Sequence, residues 1–99
     1  MAQFNTYDPR NENTLVSING ALFKRVDAKI SVLDSLAQGG DGVWEGLRVY
    51  NTKIFKLEEH TDRLFNSAKI LDMKIPYSTN EIMDAQKHLF LIKIFKMDI

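Results

Sequence analysis

The chain has 99 residues, 44% of them apolar and 26% charged, with 13 acidic side chains against 13 basic ones. That length holds at most one domain with a modest core, and the balanced charge gives no electrostatic reason to expect a nucleic-acid or membrane-surface partner. Cysteine is absent, which excludes a disulfide scaffold and a thiolate metal site. No apolar run reaches the length needed to span a bilayer, so a cytoplasmic protein is the expectation.

Residues 1–13 are polar, carry Asn, Asp, Pro and Arg with little periodicity, and read as an irregular N-terminal arm. In TLVSINGALFKR two β-prone runs flank Asn19-Gly20, a dipeptide suited to both left-handed positions of a type I′ turn. A hairpin is therefore expected over residues 14–25. Val26, Ala28, Ile30 and Val32 alternate with polar residues and suggest another short extended segment. Asp34 is placed to cap a brief helical turn, SLAQ, which Gly39-Gly40 would stop.

GGDGVWEGLRVY, residues 39–50, follows. Read as a strand, it puts Val43, Glu45, Leu47 and Val49 on a core-like face with one odd charge, and Trp44, Gly46, Arg48 and Tyr50 on the other. The second face is either the solvent side of a half-buried strand or the wall of a ligand site. In the latter case the aromatics supply flat sides, Gly46 leaves room beside the backbone and Arg48 brings a positive charge for a carboxylate or phosphate. NTKIFKL pairs back on this strand through Asn51-Thr52. A β-branched Thr is a poor guest where φ must be positive, so that loop is either longer than two residues or strained.

From Leu57 the apolar period changes to about 3.6, with Leu57, Thr61, Leu64, Ala68 and Leu71 on one stripe of a helix. Asp72 to Pro76 should end it. Ser78-Thr79-Asn80-Glu81 has capping-box spacing and starts a second helix bearing Ile82, Met83, Ala85 and Leu89. LFLIKIFKMDI, residues 89–99, is apolar on nearly every side and should pack on something outside so small a domain. In the first helix His60 and Arg63 lie three apart on one surface, where an anion would meet a guanidinium and the positive end of the helix dipole. The plain alternative is an ion pair between Glu59 and Arg63 on a solvated face. His60 and His88 lack metal-site spacing, no metal site is expected, and His88 reads as a helix-surface residue.

Taken together, NGALFKRVDAKISVLDS, QGGDGVWEGLRVY and KIFKLEEHTDRLFNSAK resemble the N-terminal domain of the class IV aminotransferases, pyridoxal-phosphate enzymes of fold type IV. The branched-chain amino-acid aminotransferase-like branch is the most similar. The resemblance covers about residues 15–85. It implies an α+β small domain over residues 14–99, antiparallel strands and hairpins followed by two helices, incomplete at its C-terminus. It further implies pyridoxal 5′-phosphate as cofactor with Arg63 on its phosphate, and a substrate pocket lined by Trp44, Gly46 and Arg48. His60 takes a supporting role. The implied partners are an amino acid and a 2-oxo acid, and a homodimer for the full-length family.

The family's Schiff-base lysine would lie beyond residue 99. No lysine here is then catalytic, and the 99 residues alone are expected not to transaminate. Gln38-Gly39-Gly40 stands where many members carry a Tyr, and Thr52 where the family often has Gly. From about residue 86 the match decays, as expected of a truncated or frame-shifted reading of a longer gene. An aminodeoxychorismate lyase-like or D-amino-acid aminotransferase member, and a non-catalytic fragment or interaction module dimerising through residues 89–99, are the alternatives.

Overall fold

Asn19 and Gly20 both take left-handed backbone, with φ of 52° and 83°, as a type I′ turn requires. They join β1 (Leu15–Ile18) to β2 (Ala21–Lys24), antiparallel with Val16 opposite Phe23. The expected hairpin is therefore present. The computed structural model describes residues 8–95, with side chains as far as Ile92. Residues 1–7 of the expected arm and 96–99 of the apolar tail lie outside it. The described part of the arm is ordered at Pro9–Asn11, a 3₁₀ turn whose Asp8 side chain accepts the Arg10 N–H at 2.9 Å and pairs with its guanidinium at 2.7 Å.

The alternation from Val26 to Val32 does not produce a strand. Arg25–Asp27 forms a 3₁₀ turn, residues 28–31 carry no regular structure, and Val26, Ile30 and Val32 are exposed. Alternation gives a strand only where a neighbouring strand accepts its hydrogen bonds, and none lies beside this segment. Asp34 caps α1 (Ser35–Gly39) by accepting the Leu36 N–H at 2.9 Å, and Gly40 ends it at φ 73°. Both signals act as the sequence indicates.

The expected strand over Val43–Tyr50 shrinks to β3 (Val49–Tyr50), paired with β4 (Lys53–Ile54). One further rung runs from the Phe55 N–H to the Arg48 carbonyl at 2.7 Å. The ladder is short because Lys56 turns left-handed (φ 51°) and the next helix starts at once, leaving residues 41–47 nothing to pair with. The loop has two residues, Asn51 at φ 49° and Thr52 at φ 63°, so the strained alternative holds. Tyr50 and Phe55 meet edge to face across it, with ring centroids 5.4 Å apart.

α2 (Leu57–Ile70) buries Leu57, Thr61 and Ala68 and half-buries Leu64, the stripe read from the sequence. Leu71 departs from it because the helix stops first, five residues short of the proline. Asp72 turns left-handed at φ 56°, and the N–H groups of Met73 and Asp72 return to the carbonyls of Ala68 and Lys69 at 2.8 and 3.0 Å. This is a Schellman closure with Asp in the place glycine usually takes. The capping box then forms reciprocally, Glu81 N–H to Ser78 Oγ at 3.1 Å and Ser78 N–H to Glu81 Oε1 at 2.9 Å, and α3 (Thr79–Phe95) begins.

α3 packs on α2, and Ile92 is buried. Part of the apolar C-terminal run thus finds cover inside the chain, whereas the sequence reading sent it outside. Ala85 faces solvent, and so does His88. The described residues form an α+β arrangement of two small antiparallel hairpins followed by two long helices. No helix among the described residues is long and apolar enough to cross a membrane.

Candidate functional site

Residues 43–48 keep their alternation without a ladder. Val43, Glu45 and Leu47 are half-buried, and Trp44, Gly46 and Arg48 are exposed. Glu45 is thereby carried inward as the charge on the apolar side. α2 places His60 and Arg63 three residues apart, on one surface, and both reach it. The Glu45 carboxylate accepts from Arg63 Nε at 2.9 Å on Oε2 and from Nη2 at 2.8 Å on Oε1. His60 Nδ1 lies 2.6 Å from the same Oε1.

The cluster is graded from inside to outside. The Glu45 side chain is 10% exposed, His60 23% and Arg63 67%. The Arg63 hydrogen bonds, followed by that from His60, hold the Glu45 carboxyl down to about 2 from its ordinary 4.5. Glu45 in turn raises the Arg63 guanidinium above its usual value. An ionised carboxylate only accepts, so His60 Nδ1 carries the proton in that contact.

A guanidinium has five N–H donors in a planar fork. Glu45 occupies the Nε–Nη2 edge, and Nη1 with the remaining Nη2 proton meets no acceptor among the described residues. That open edge is the geometry that takes a carboxylate or phosphate two-pronged. The helix dipole adds little to it. Arg63 is the seventh residue of α2, about 9 Å along the axis, and the dipole's influence fades within the first turn. The sequence reading credited the guanidinium and the helix end together; of the two, the guanidinium provides the attraction.

The alternative pair between Glu59 and Arg63 is absent, since none of the ion pairs among the described residues involves Glu59. The Trp44 ring turns back over Gly46, where a Cβ would sit 3.3 Å from its Cζ3. Trp44 is otherwise 82% exposed, and the Arg48 side chain has no hydrogen-bond partner among the described residues. Trp44, Gly46 and Arg48 form an open surface on the far side of the segment from Glu45. Neither the groove of about 280 Å³ at Phe65, Lys69 and Met73 nor the one of about 360 Å³ between β4 and α3 includes them. Among the described residues no three His, Asp or Glu side chains gather as a metal site would need.

Glu45 is the residue that sequence reasoning left without a role. A lone carboxylate on the inward side of an alternating run must find partners, and the Arg-His pair on α2 was the signal that pointed to them.

Residues 42–95 match the family Amino-transferase class IV. Over 77 residues, 78% of the chain, it is 51% identical to branched-chain-amino-acid aminotransferase-like protein 1 of Arabidopsis thaliana, of which it covers 14%. It is 49% identical to a probable branched-chain-amino-acid aminotransferase of Rickettsia typhi, again over 78% of the chain and 26% of the relative. A D-alanine aminotransferase of Listeria monocytogenes serotype 1/2a is 43% identical over 75% of the chain and 26% of its own length. The chain thus spans between 14% and 26% of the length of these relatives. With more than half of its residues inside the family match, the chain belongs to the class IV aminotransferases.

Proposed function

We propose that these residues supply the phosphate-anchoring part and one substrate wall of an enzyme that moves an amino group between a branched-chain amino acid and a 2-oxo acid, with pyridoxal 5′-phosphate as cofactor. The observation that carries this reading is the open Nη1–Nη2 edge of Arg63, held outward by Glu45 in a class IV aminotransferase chain. The residues fit the cofactor in one respect: a planar pair of donors on a cation matches two oxygens of a phosphate monoester, and this edge offers one. When bound, pyridoxal 5′-phosphate supplies the electron sink that loosens bonds at the amino acid's α-carbon.

The chain's own contribution is binding and orientation. Arg63 holds the phosphate, and His60 steadies Glu45 from its second side. Arg48 offers a cation to a substrate carboxylate, and Trp44 over Gly46 gives a flat apolar flank to the substrate side chain. No lysine in this chain matches the family's catalytic one, so the 99 residues by themselves do not transaminate. A cytoplasmic homodimer is the setting that the family resemblance supports.

Titration with pyridoxamine 5′-phosphate, which lacks the aldehyde that reacts with surface lysines, tests the anchor. The chain binds it, and Arg63→Ala weakens binding about ten- to a hundredfold, the worth of a charged hydrogen-bonded contact. Unchanged affinity in Arg63→Ala contradicts the reading, as does turnover of leucine and 2-oxoglutarate by the 99 residues alone. A second reading, a D-amino acid as substrate, is favoured by the 43% identity to a protein named D-alanine aminotransferase. Grafting these residues into a full-length relative and comparing L-leucine with D-alanine separates the two.

A further inference from the structure

Glu45 acts on Arg63 in two opposing ways. Its charge cancels that of the guanidinium, which by Coulomb's law alone weakens any anion bound there. Its oxygens, at 2.9 and 2.8 Å from Nε and Nη2, fix a long side chain that is 67% exposed and would otherwise sample many rotamers. Glu45 is itself fixed: its side chain is 10% exposed, and His60 Nδ1 holds it at 2.6 Å. It also comes from a segment that no strand pairs with over residues 41–47. The carboxylate is therefore a clasp between two parts of the chain. One part is α2, with the phosphate anchor. The other is the run that carries Trp44, Gly46 and Arg48 on its outward side.

We propose that Glu45 is a positioning residue that turns the open edge of Arg63 toward a phosphate monoester and, through the same contact, docks the Trp44–Arg48 run onto α2. The proposal rests on the phosphate-anchoring reading of Arg63 given above. Fixing the side chain before binding outweighs the cancelled charge, because an exposed arginine must otherwise surrender its rotamer freedom when the anion arrives.

The two effects have opposite signs in Glu45→Gln, which keeps the size and one acceptor oxygen but removes the charge. Positioning predicts that affinity for pyridoxamine 5′-phosphate, measured by isothermal titration, falls about tenfold. If charge cancellation were the larger effect, affinity would stay level or rise, and either result overturns the proposal. Glu45→Asp keeps the charge but falls one methylene short, and it weakens binding likewise; parent-like affinity there also overturns the proposal.

Arg63→Ala distinguishes the two levels. Loss of binding in Arg63→Ala without loss in Glu45→Gln overturns positioning alone. No saturable binding by the parent chain, or parent-like binding in Arg63→Ala, overturns the phosphate anchor and this proposal with it. A readout without ligand guards against a variant that fails to fold. The Arg63 Nε–H proton of the parent exchanges slowly with solvent in nuclear magnetic resonance, and in Glu45→Gln it exchanges fast while helical circular dichroism is unchanged. Fast exchange in the parent overturns the clasp directly.

Discussion

Thr52 is the most strained position that the structure identifies, and its replacement by glycine is expected to stabilise the chain. At φ 63° it occupies the left-handed region, which costs an L-residue roughly 1–2 kcal/mol and is worst for a β-branched side chain. Glycine removes that cost but gains freedom in the unfolded chain, offsetting about 0.4–1 kcal/mol of the relief. The Thr52 hydroxyl's hydrogen bond to the Asn51 carbonyl is exposed, and its loss changes little. The net gain is about 0.5–1 kcal/mol, which for a domain of this size raises Tm by roughly 3–6 °C. Thermal unfolding followed by circular dichroism measures it. Asn51→Gly is the internal control: Asn51 has φ 49°, but asparagine tolerates that region, so its replacement moves Tm less. A Thr52→Gly variant no more stable than the parent, or less stable than Asn51→Gly, would show that the left-handed backbone at Thr52 carries no such cost.

Ser78→Ala removes the hydroxyl that accepts the Glu81 N–H and is expected to cost about 1 kcal/mol, read as a lower midpoint in urea. Thr61 is 2% exposed and its hydroxyl donates back to the Leu57 carbonyl at 2.8 Å. Thr61→Val keeps the shape and should stay within about 1 kcal/mol of the parent, while Thr61→Ala opens a cavity and costs more. Glu45 has its carboxyl lowered in the folded chain from 4.5 to about 2, so its contribution to stability is complete above 4.5 and is lost as pH falls from there toward about 2. Urea midpoints across that window should fall more steeply for the parent than for Glu45→Gln, and parallel curves would refute the pairing.

Local chemistry was legible in the sequence wherever a few neighbouring residues decide the geometry. Asn19-Gly20, Asp34, Gly40 and the Ser78–Glu81 box each act through contacts no more than a few residues apart, and each appears as read. The alternating runs were harder, because period two states which side chains share a face and not whether another strand is present. Val26 to Val32 finds no neighbour, and Val43 to Tyr50 finds one only at its end.

The alternation at Trp44–Arg48 nevertheless kept its meaning for burial, and that made the inward Glu45 a real signal. Its partners come from 15 and 18 residues further on, across the packing of the segment on α2, which no local rule supplies. The same non-local closeness drew Arg63 to Glu45 rather than to Glu59, the neighbour that helix spacing suggested. Motif order across three segments carried the family, which the match over residues 42–95 then established.

In the proposed arrangement Arg63 meets a phosphate with one edge while Glu45 holds the other. A crystal structure of the chain with pyridoxamine 5′-phosphate measures this directly. Phosphate oxygens are expected about 3 Å from Arg63 Nη1 and Nη2, with Glu45 still on Nε. A phosphate bound elsewhere, or an Arg63 that leaves Glu45 to reach it, contradicts this arrangement.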